Sequence, residues 1–438
     1  METERFLSRL AEDFRISLPD LRGLIGHFHR EMARGLAGEE SSLKMIPAFV
    51  GRPTGKEKGD FLALDLGGTN LRVLAVGLNG NGNASADAVE RFVIPPALMS
   101  GAGQKLFDFM ADCVKIFGQN HAISARRFQD IAFTFSFPVE QLAIASGRLN
   151  GWTKGFTATG VVGCDVVRLL CNALERKDLG FIHVAALTND TVGTLAAGSY
   201  ADPACDMGVI LGTGTNACYP EKIPRIHKIS ELAPAGDEMI INMEWGNFDK
   251  VAGNRYDQLL DDASSNPGRQ RFEKMVSGMY IGELARIILV EMMAQGHLFQ
   301  GAKSLAFAEA YSLTAKQMAL TARGGDFFAD FGLADCSATD SKIAGEICRI
   351  VSRRSARLAA AAIAAVVSWR DAALDGRHVI AGDGSLLEKY PGFQEAMQEA
   401  LRELYGEQAA RIIIQPVHDG SGIGAAIIAA VAGSGQAK

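Results

Sequence analysis

Phe61-Leu62-Ala63-Leu64-Asp65-Leu66-Gly67-Gly68-Thr69-Asn70-Leu71-Arg72-Val73 is an apolar run into a glycine turn, then Thr-Asn, then a second apolar run. The pattern is partly repeated at Ile210-Leu211-Gly212-Thr213-Gly214-Thr215-Asn216-Ala217-Cys218-Tyr219. Glycines let a backbone turn tightly and approach a phosphate, whose charge is met by N–H groups and hydroxyls. Two such hairpins predict two related half-domains facing a nucleotide, with phosphoryl transfer as the first reading. A P-loop is excluded, because no G-x-x-x-x-G-K-S/T occurs. Gly212-x-Gly214-x-x-Ala217 could open a dinucleotide-binding turn, but that turn needs a helix next. Asn216 to Pro220, followed by Pro224, offers none, so a hairpin fits better.

At 438 residues the chain exceeds the usual single-core size, and two domains are expected. Hydrophobic residues at 48% and charged residues at 21% fit an ordinary globular protein. A net charge of −6 speaks against nucleic acid as a partner. Seven cysteines without a C-x-x-C pair read as scattered reduced thiols and a cytoplasmic setting. Cys218 is expected to pack rather than react. The charged start, Met1-Glu2-Thr3-Glu4-Arg5, shows no signal-type apolar run. The apolar stretches Leu358 to Val367 and Gly424 to Ala432 are too short to span a bilayer and are expected as buried helices. No membrane partner is indicated.

Periodicity predicts helices over residues 1–50, then strands over 61–95 and a helix over 104–118. Ile131 to Phe137 and Phe181 to Leu187 read as strands, the second ending in Thr188-Asn189-Asp190 before a helix. The second half repeats this order. Met207 to Tyr219 forms the second hairpin, Glu238 to Trp245 a further strand, and helices fill 254–365 with a break near Gly324-Gly325. His378 to Ser385 is strand then glycine turn; Arg411 to Gln415 is a strand, followed by a turn at 418–424 and a small-residue helix. Strands and helices alternating twice predict two α/β lobes around a cleft.

Asp190 closes a strand where a helix should begin. It suits either an N-cap or a base that accepts a proton from an attacking hydroxyl. Asn189 beside it offers a donor and acceptors for a polyol. Asp65 can hold the hydration shell of a Mg²⁺ riding on nucleotide phosphates, or merely brace its turn. Arg72 could stabilise charge at a γ-phosphate, or only line a strand edge. Glu244 sits in an apolar run and needs partners. Glu273, Ser136, Thr153 and Lys154 are unremarkable singly. The eight histidines have no metal-binding spacing, and His27 and His29 point different ways on a helix.

In order along the chain these residues resemble the hexokinase family, the sugar kinases that include animal glucokinase and the yeast hexokinases. The resemblance runs from about Leu43 to Ala432. It rests on Met45-Ile46-Pro47, residues 53–70, Phe133 to Pro138, Trp152 to Phe156, Asn189 to Thr194, the second hairpin, Asn242 to Gly246, Phe272 to Met275 and Ser277 to Tyr280. It implies a two-lobed actin-like ATPase (ribonuclease H-like) α/β fold. The implied small domain is 60–188, completed by a helix over about 422–438; the large one is 1–59 and 189–421. The implied activity is ATP-dependent phosphorylation of a hexose 6-hydroxyl, on glucose and also mannose or fructose, with ATP and Mg²⁺.

Carried over by position, Ser136, Thr153, Lys154, Asn189, Asp190, Asn216, Glu244, Gln270 and Glu273 would contact sugar. Asp190 would be the general base, with Arg72 and Lys154 assisting. Asp65, Gly67, Gly68, Thr69, Asn70 and Arg72 match the first phosphate motif; Gly212, Thr213 and Gly214 match the second. Gly382-Asp383-Gly384-Ser385 resembles the adenosine motif, and Asp419-Gly420-Ser421-Gly422 the C-terminal glycine turn. No protein side chain is expected to bind metal directly; Mg²⁺ would arrive on ATP near Asp65 and Asp190. Arg269 and Arg271 around Gln270, and Pro220 after Tyr219, depart from the family pattern. The chain reads as a single catalytic unit without a mitochondria-docking N-terminus.

Three alternatives are weighed. A hexose sensor without turnover should have lost Asp190, Asp65 or Thr213. A chaperone or filament protein of the same superfamily should lack Thr153-Lys154, Asn189-Asp190, Glu244 and Glu273. The bacterial glucokinases with a zinc-binding cysteine cluster are excluded by the scattered cysteines.

Overall fold

The computed structural model describes residues 2–68, 70–122, 128–229, 236–299, 304–325, 327–333 and 336–436. Helices α1 (Glu2–Asp13) and α2 (Leu18–Ala37) open the chain, the second started by a capping box between Ser17 and Asp20. After a two-residue strand β1 (Ile46–Pro47), strands β2 (Lys58–Leu66), β3 (Asn70–Asn79) and β4 (Ala84–Val93) form an antiparallel meander. Its first turn is the opening glycine stretch. Helices α3 (Pro96–Met99) and α4 (Gly103–Asn120) return the chain so that β5 (Asp130–Phe135) pairs parallel with β2. A small hairpin of β6 (Val139–Ala143) and β7 (Ser146–Leu149) follows, then α5 (Val166–Arg176). Strand β8 (His183–Thr188) then lies parallel to β5. The resulting sheet has the order β4-β3-β2-β5-β8.

Helix α6 (Asp190–Ala201) carries the chain into a second meander of β9 (Cys205–Leu211), β10 (Thr215–Lys222) and β11 (Glu238–Asn242). A helical insertion follows: α7 (Arg255–Ala263), α8 (Arg271–Val276), α9 (Gly278–Ala294), α10 (Leu305–Ala308), α11 (Ala315–Ala322) and α12 (Ala338–Arg370). Strand β12 (His378–Asp383) returns parallel to β9. After α13 (Ser385–Lys389) and α14 (Phe393–Tyr405), β13 (Ile412–Pro416) lies parallel to β12, and α15 (Gly420–Gln436) ends the chain. This sheet runs β1-β11-β10-β9-β12-β13. With β1 set aside at the edge, both sheets repeat one topology: third, second, first, fourth, fifth.

Three apolar cores hold these layers. One packs α4 and α5 on the outer face of the first sheet, and another packs the helical insertion on the second. The third lies between the sheets and combines residues of both with those of α6 and α15, among them Ala196, Ala425, Ala426 and Ala429. Glycine lets those helices touch: a Cβ on Gly424 would stand 1.7 Å from the Gly193 carbonyl oxygen. Leu358 to Val367 lies wholly buried inside α12, as a helix apolar on all sides must. Among the described residues no helix is long and apolar enough to cross a membrane.

Four sequence expectations change in detail: the helical reading of 1–50 ends at Ala37, after which the chain runs through turns and β1. The 254–365 region breaks also at 264–270 and at Ser277, where turns carry α7 into α8 and α8 into α9. Strand β11 stops at Asn242, so Glu244 stands beyond it with a left-handed φ of 52°. Gly420 to Gly422 form the first turn of α15 rather than a free turn; a Cβ on Gly420 would stand 3.3 Å from Thr194 of α6, and one on Gly422 2.9 Å from Leu74 of β3.

Candidate active site

The end of β8 meets the start of α6 at Asn189-Asp190. Asn189 is the N-cap: its Oδ1 accepts the Thr191 N–H at 2.9 Å and the Thr191 hydroxyl at 2.7 Å. The capping task therefore falls on Asn189. Asp190 takes the first helical position, with Oδ1 accepting the Thr191 N–H at 2.8 Å. Part of Asp190 remains open to the cleft, yet packing around it strips hydration and pushes its carboxyl above the usual range. The Lys154 ammonium opposes that shift and the Asp65 charge adds to it.

Two further acids join this cluster. Glu244 is pushed up first by burial, against hydrogen bonds from Asn242 and Asn216 and with repulsion from Asp190. Its Oε1 accepts the Asn242 amide at 2.9 Å and the Asn216 amide at 3.1 Å, and Asn216 also donates to Asn242 Oδ1 at 2.8 Å. Glu273, on α8, is pushed up to about 7 by burial and by Glu244 and Asp190, against the Thr215 N–H that it accepts at 3.0 Å. Three carboxyls raised by burial, Glu244 and Glu273 also by the charge of Asp190, form a convergent polar site of the kind that functional clefts contain.

Lys154 approaches from the first sheet. It is exposed, but its Nζ donates to the Gly67 and Ser136 carbonyls, each at 2.8 Å. Ser136 is buried, and its N–H donates to Leu66, tying it to the first hairpin. Thr153 is half-buried and opens the tight turn that carries Lys154, accepting the Phe156 N–H at 3.1 Å. Gln270 sits at the start of α8, its Oε1 accepting the Asn266 amide at 2.8 Å. Lys154, Glu244 and Gln270 all have left-handed backbone, at φ 55°, 52° and 51°. Such strain in bulky residues is held only where surrounding structure fixes it, and it clusters at functional sites.

The two glycine hairpins flank this cluster. In the first, Asp65 is buried and its Oδ2 accepts from Arg72 Nε at 3.1 Å, from Arg72 Nη2, and from the Ser421 hydroxyl at 3.1 Å. Arg72 also donates to Asp419 Oδ1 at 2.6 Å and to Ser421 Oγ at 2.7 Å. Arg72 thus joins the first sheet to the start of α15; burial works to lower its pKa, but Asp65 and Asp419 outweigh that and leave it raised. Gly67 is exposed, Gly68 half-exposed, and Asn70 begins β3 opposite Val93. Thr69 lies outside the described residues.

In the second hairpin Thr213 is exposed, and the Gly212 and Thr213 carbonyls accept the N–H groups of Gly278 and Met279. Gly384, at φ 115°, lies against this turn, where a Cβ would come within 2.5 Å of the Leu211 carbonyl. The Gly382-Asp383-Gly384-Ser385 turn therefore abuts Gly212, with Ser385 exposed at the start of α13. Asp383 is pushed up to about 6 by burial and by Glu388 and Asp190, against Arg72. Charges from both sheets meet here.

Asn242 and Thr215 hold Glu244 and Glu273, and Asp419 and Ser421 hold Arg72. Sequence reading gave none of the four a side-chain role. The signal for Asn242 was a polar residue ending a buried strand; for Thr215 the partner is its backbone N–H, which side-chain chemistry does not reveal. Cys218 is fully buried, donates to the Thr191 carbonyl at 3.0 Å and has its pKa raised by burial, in keeping with packing.

Two hexokinase family models match the chain, over residues 6–200 and 206–431. Rice (Oryza sativa subsp. japonica) hexokinase-7 is 42% identical over 449 residues, covering 98% of this chain and 96% of that protein. Rat (Rattus norvegicus) hexokinase-3 is 40% identical over 450 residues, covering 98% of this chain but 47% of its own length. The chain thus spans about half of that rat protein and nearly all of the rice one. A solved hexokinase from Schistosoma mansoni, complexed with glucose, superposes with a TM-score of 0.88 at 35% identity, covering 98% of this chain and 99% of that one. With matched halves, shared length and shared three-dimensional form, this chain belongs to the hexokinase family.

Proposed function

We propose that this chain transfers the γ-phosphoryl group of ATP to the 6-hydroxyl of a hexose, glucose foremost and also mannose or fructose. The observation that carries the reading is the placement of Asp190. It stands at a helix start, between two glycine hairpins, beside a polar cluster of Asn189, Asn216, Glu244 and Glu273 suited to a polyol. In this reading the sugar hydroxyls are shared among those residues together with Ser136, Thr153, Lys154 and Gln270. Asp190 accepts the 6-hydroxyl proton as the oxygen attacks phosphorus. Lys154 and Arg72 lower the cost of charge on the phosphoryl oxygens.

MgATP is the second substrate, set between Gly67-Gly68 with Thr69 and Asn70 on one side and Gly212-Thr213-Gly214 on the other. Its adenosine lies toward Gly382 to Ser385. Asp65, Asp190 and Asp383 repel one another here, and a magnesium ion on the phosphates, in its water shell, would relieve that repulsion. The lobes in this reading are residues 60–188 completed by the C-terminal helix from about 422, and 1–59 with 189–421. They close on the sugar about the Gly193–Gly424 contact and so keep water from taking the phosphoryl group. A cytoplasmic location, with no nucleic-acid or membrane partner, agrees with the composition.

The test is ADP release from MgATP with glucose, mannose, fructose or no sugar. Fast hexose-dependent release supports the reading. ADP release equally fast without sugar would sink it, and glucose binding without turnover would favour a sensor instead.

A further inference from the structure

One strong polar network lies just behind the proposed sugar site and touches none of the groups given a role above except through the backbone and Gln270. Its centre is Lys274, on α8 directly after Glu273. The Lys274 side chain is only 4% exposed. A buried ammonium is tolerated when it is paired and hydrogen-bonded. Its Nζ donates to Asp261 Oδ1 at 2.5 Å and to the Asn266 carbonyl at 2.8 Å.

Each of those partners grips the loop between α7 and α8. The other oxygen of Asp261 accepts the Gly268 N–H at 2.8 Å, and the Asp261 carbonyl accepts the Ser264 hydroxyl at 2.7 Å. Asn266 donates its amide to Gln270 Oε1 at 2.8 Å. The loop ends at Gln270 in its left-handed conformation, and the Gln270 carbonyl accepts the Lys274 N–H at 3.0 Å. Despite partial burial, Asp261 is held below its usual range by Lys274, Gly268 and Arg271.

Bonds within the loop do not by themselves account for this shape. Glutamine has no preference for left-handed backbone, and Asn266 Oδ1 is buried without a hydrogen-bond partner. Both are unfavourable features that the ammonium, at the loop's inner side, offsets. Adjacent positions on a helix point about 100° apart, so Glu273 faces Gly214 and Gly246 while Lys274 faces back into the loop.

We infer that Lys274 is a positioning residue for the hexose: its ammonium, clasped by Asp261 and Asn266, sets the 264–270 loop so that Gln270 and Glu273 face the cleft together. This rests on the hexose-kinase reading above. It adds that affinity for the sugar depends on a residue that does not touch it.

The test compares Lys274→Met, Lys274→Arg and Asp261→Asn with the wild type, reading KM for glucose, KM for MgATP, kcat and the thermal midpoint. Lys274→Met should raise the glucose KM about tenfold, with the MgATP KM within about twofold and kcat lowered less than about threefold, the pattern of lost substrate binding. Lys274→Arg, which keeps charge and donors, should recover most of the loss. Folded Lys274→Met with a wild-type glucose KM would overturn the inference, as would equal rises in both KM values. Should Lys274→Met not fold, Asp261→Asn asks the same question, since Asp261 is 25% exposed and its loss is milder. An unchanged glucose KM there would also overturn it. Wild-type protein without hexose-dependent ADP release would instead overturn the kinase reading, and this inference with it.

Discussion

In the first sheet the turn between β2 and β3 is held by charge; in the second, the turn between β9 and β10 is held by packing and backbone hydrogen bonds. Asp65 and Arg72 face each other across neighbouring strands, and Arg72 reaches on to Asp419 and Ser421. At the matching place in β10 stands Cys218, fully buried. There the turn is fixed instead by Gly278 and Met279 donating to its carbonyls, and by Thr215 donating to Glu273. One topology used twice has therefore been given two chemistries. The first hairpin is tied by charge to the start of α15, and the second is tied to Glu273 on α8.

The largest effect should come from the group between the hairpins. Asp190→Ala is expected to cut kcat by about 10²–10⁴ while leaving a folded protein. Turnover like that of the wild type would remove Asp190 from the chemistry. Next comes the charge clamp. Arg72→Met strands buried Asp65 without its main partner and should lower kcat/KM for MgATP by about a hundredfold, together with the thermal midpoint. If only the midpoint moved, the clamp would be structural and the contrast between the hairpins would lose its functional meaning.

The turns themselves can be compared by adding one methyl group to each. A Cβ at Gly214 would lie 2.9 Å from Glu273 Oε2, whereas one at Gly68 meets nothing within 4 Å. Gly214→Ala should therefore destabilise the protein by roughly 1–3 kcal/mol and raise the glucose KM. Gly68→Ala should stay within about 0.5 kcal/mol of the wild type in denaturant melts. Equal losses from both would erase the distinction between a packed and an open turn.

The remaining effect is a pH dependence. Glu273 is raised from 4.5 to about 7, so the folded state holds a proton that the unfolded chain has already lost. Stability without sugar should fall as pH rises from about 4.5 through about 7. Glu273→Gln should flatten that slope, leaving the variant more stable than the wild type at pH 8 by on the order of 2 kcal/mol. A variant with the same slope would show that Glu273 titrates normally.

Much of the fold was legible because its signals are local. Glycine turns between apolar runs marked both hairpins, and an unbroken apolar stretch marked the centre of α12. Less was legible around the acids. Asp190 suited either a cap or a base, and the observed hydrogen bonds give the cap to Asn189 instead. Glu244 read as part of a strand because its neighbours are apolar, yet the chain turns left-handed there to meet Asn216 and Asn242. Lys154 read as an unremarkable amine and Lys274 was given no role, since nothing adjacent in sequence reveals a carbonyl or carboxylate brought in from another element.

By itself the sequence determined the repeated α/β order, the two glycine turns, and the residue types able to bind a sugar and a phosphate. Those follow from periodicity and backbone freedom, which act over a few residues. Only the tertiary structure decided which acids gather in one cluster, which residue caps α6, and what Arg72 and Lys274 bond to. Desolvation and charge coupling depend on distances between residues far apart along the chain, and folding alone sets those distances.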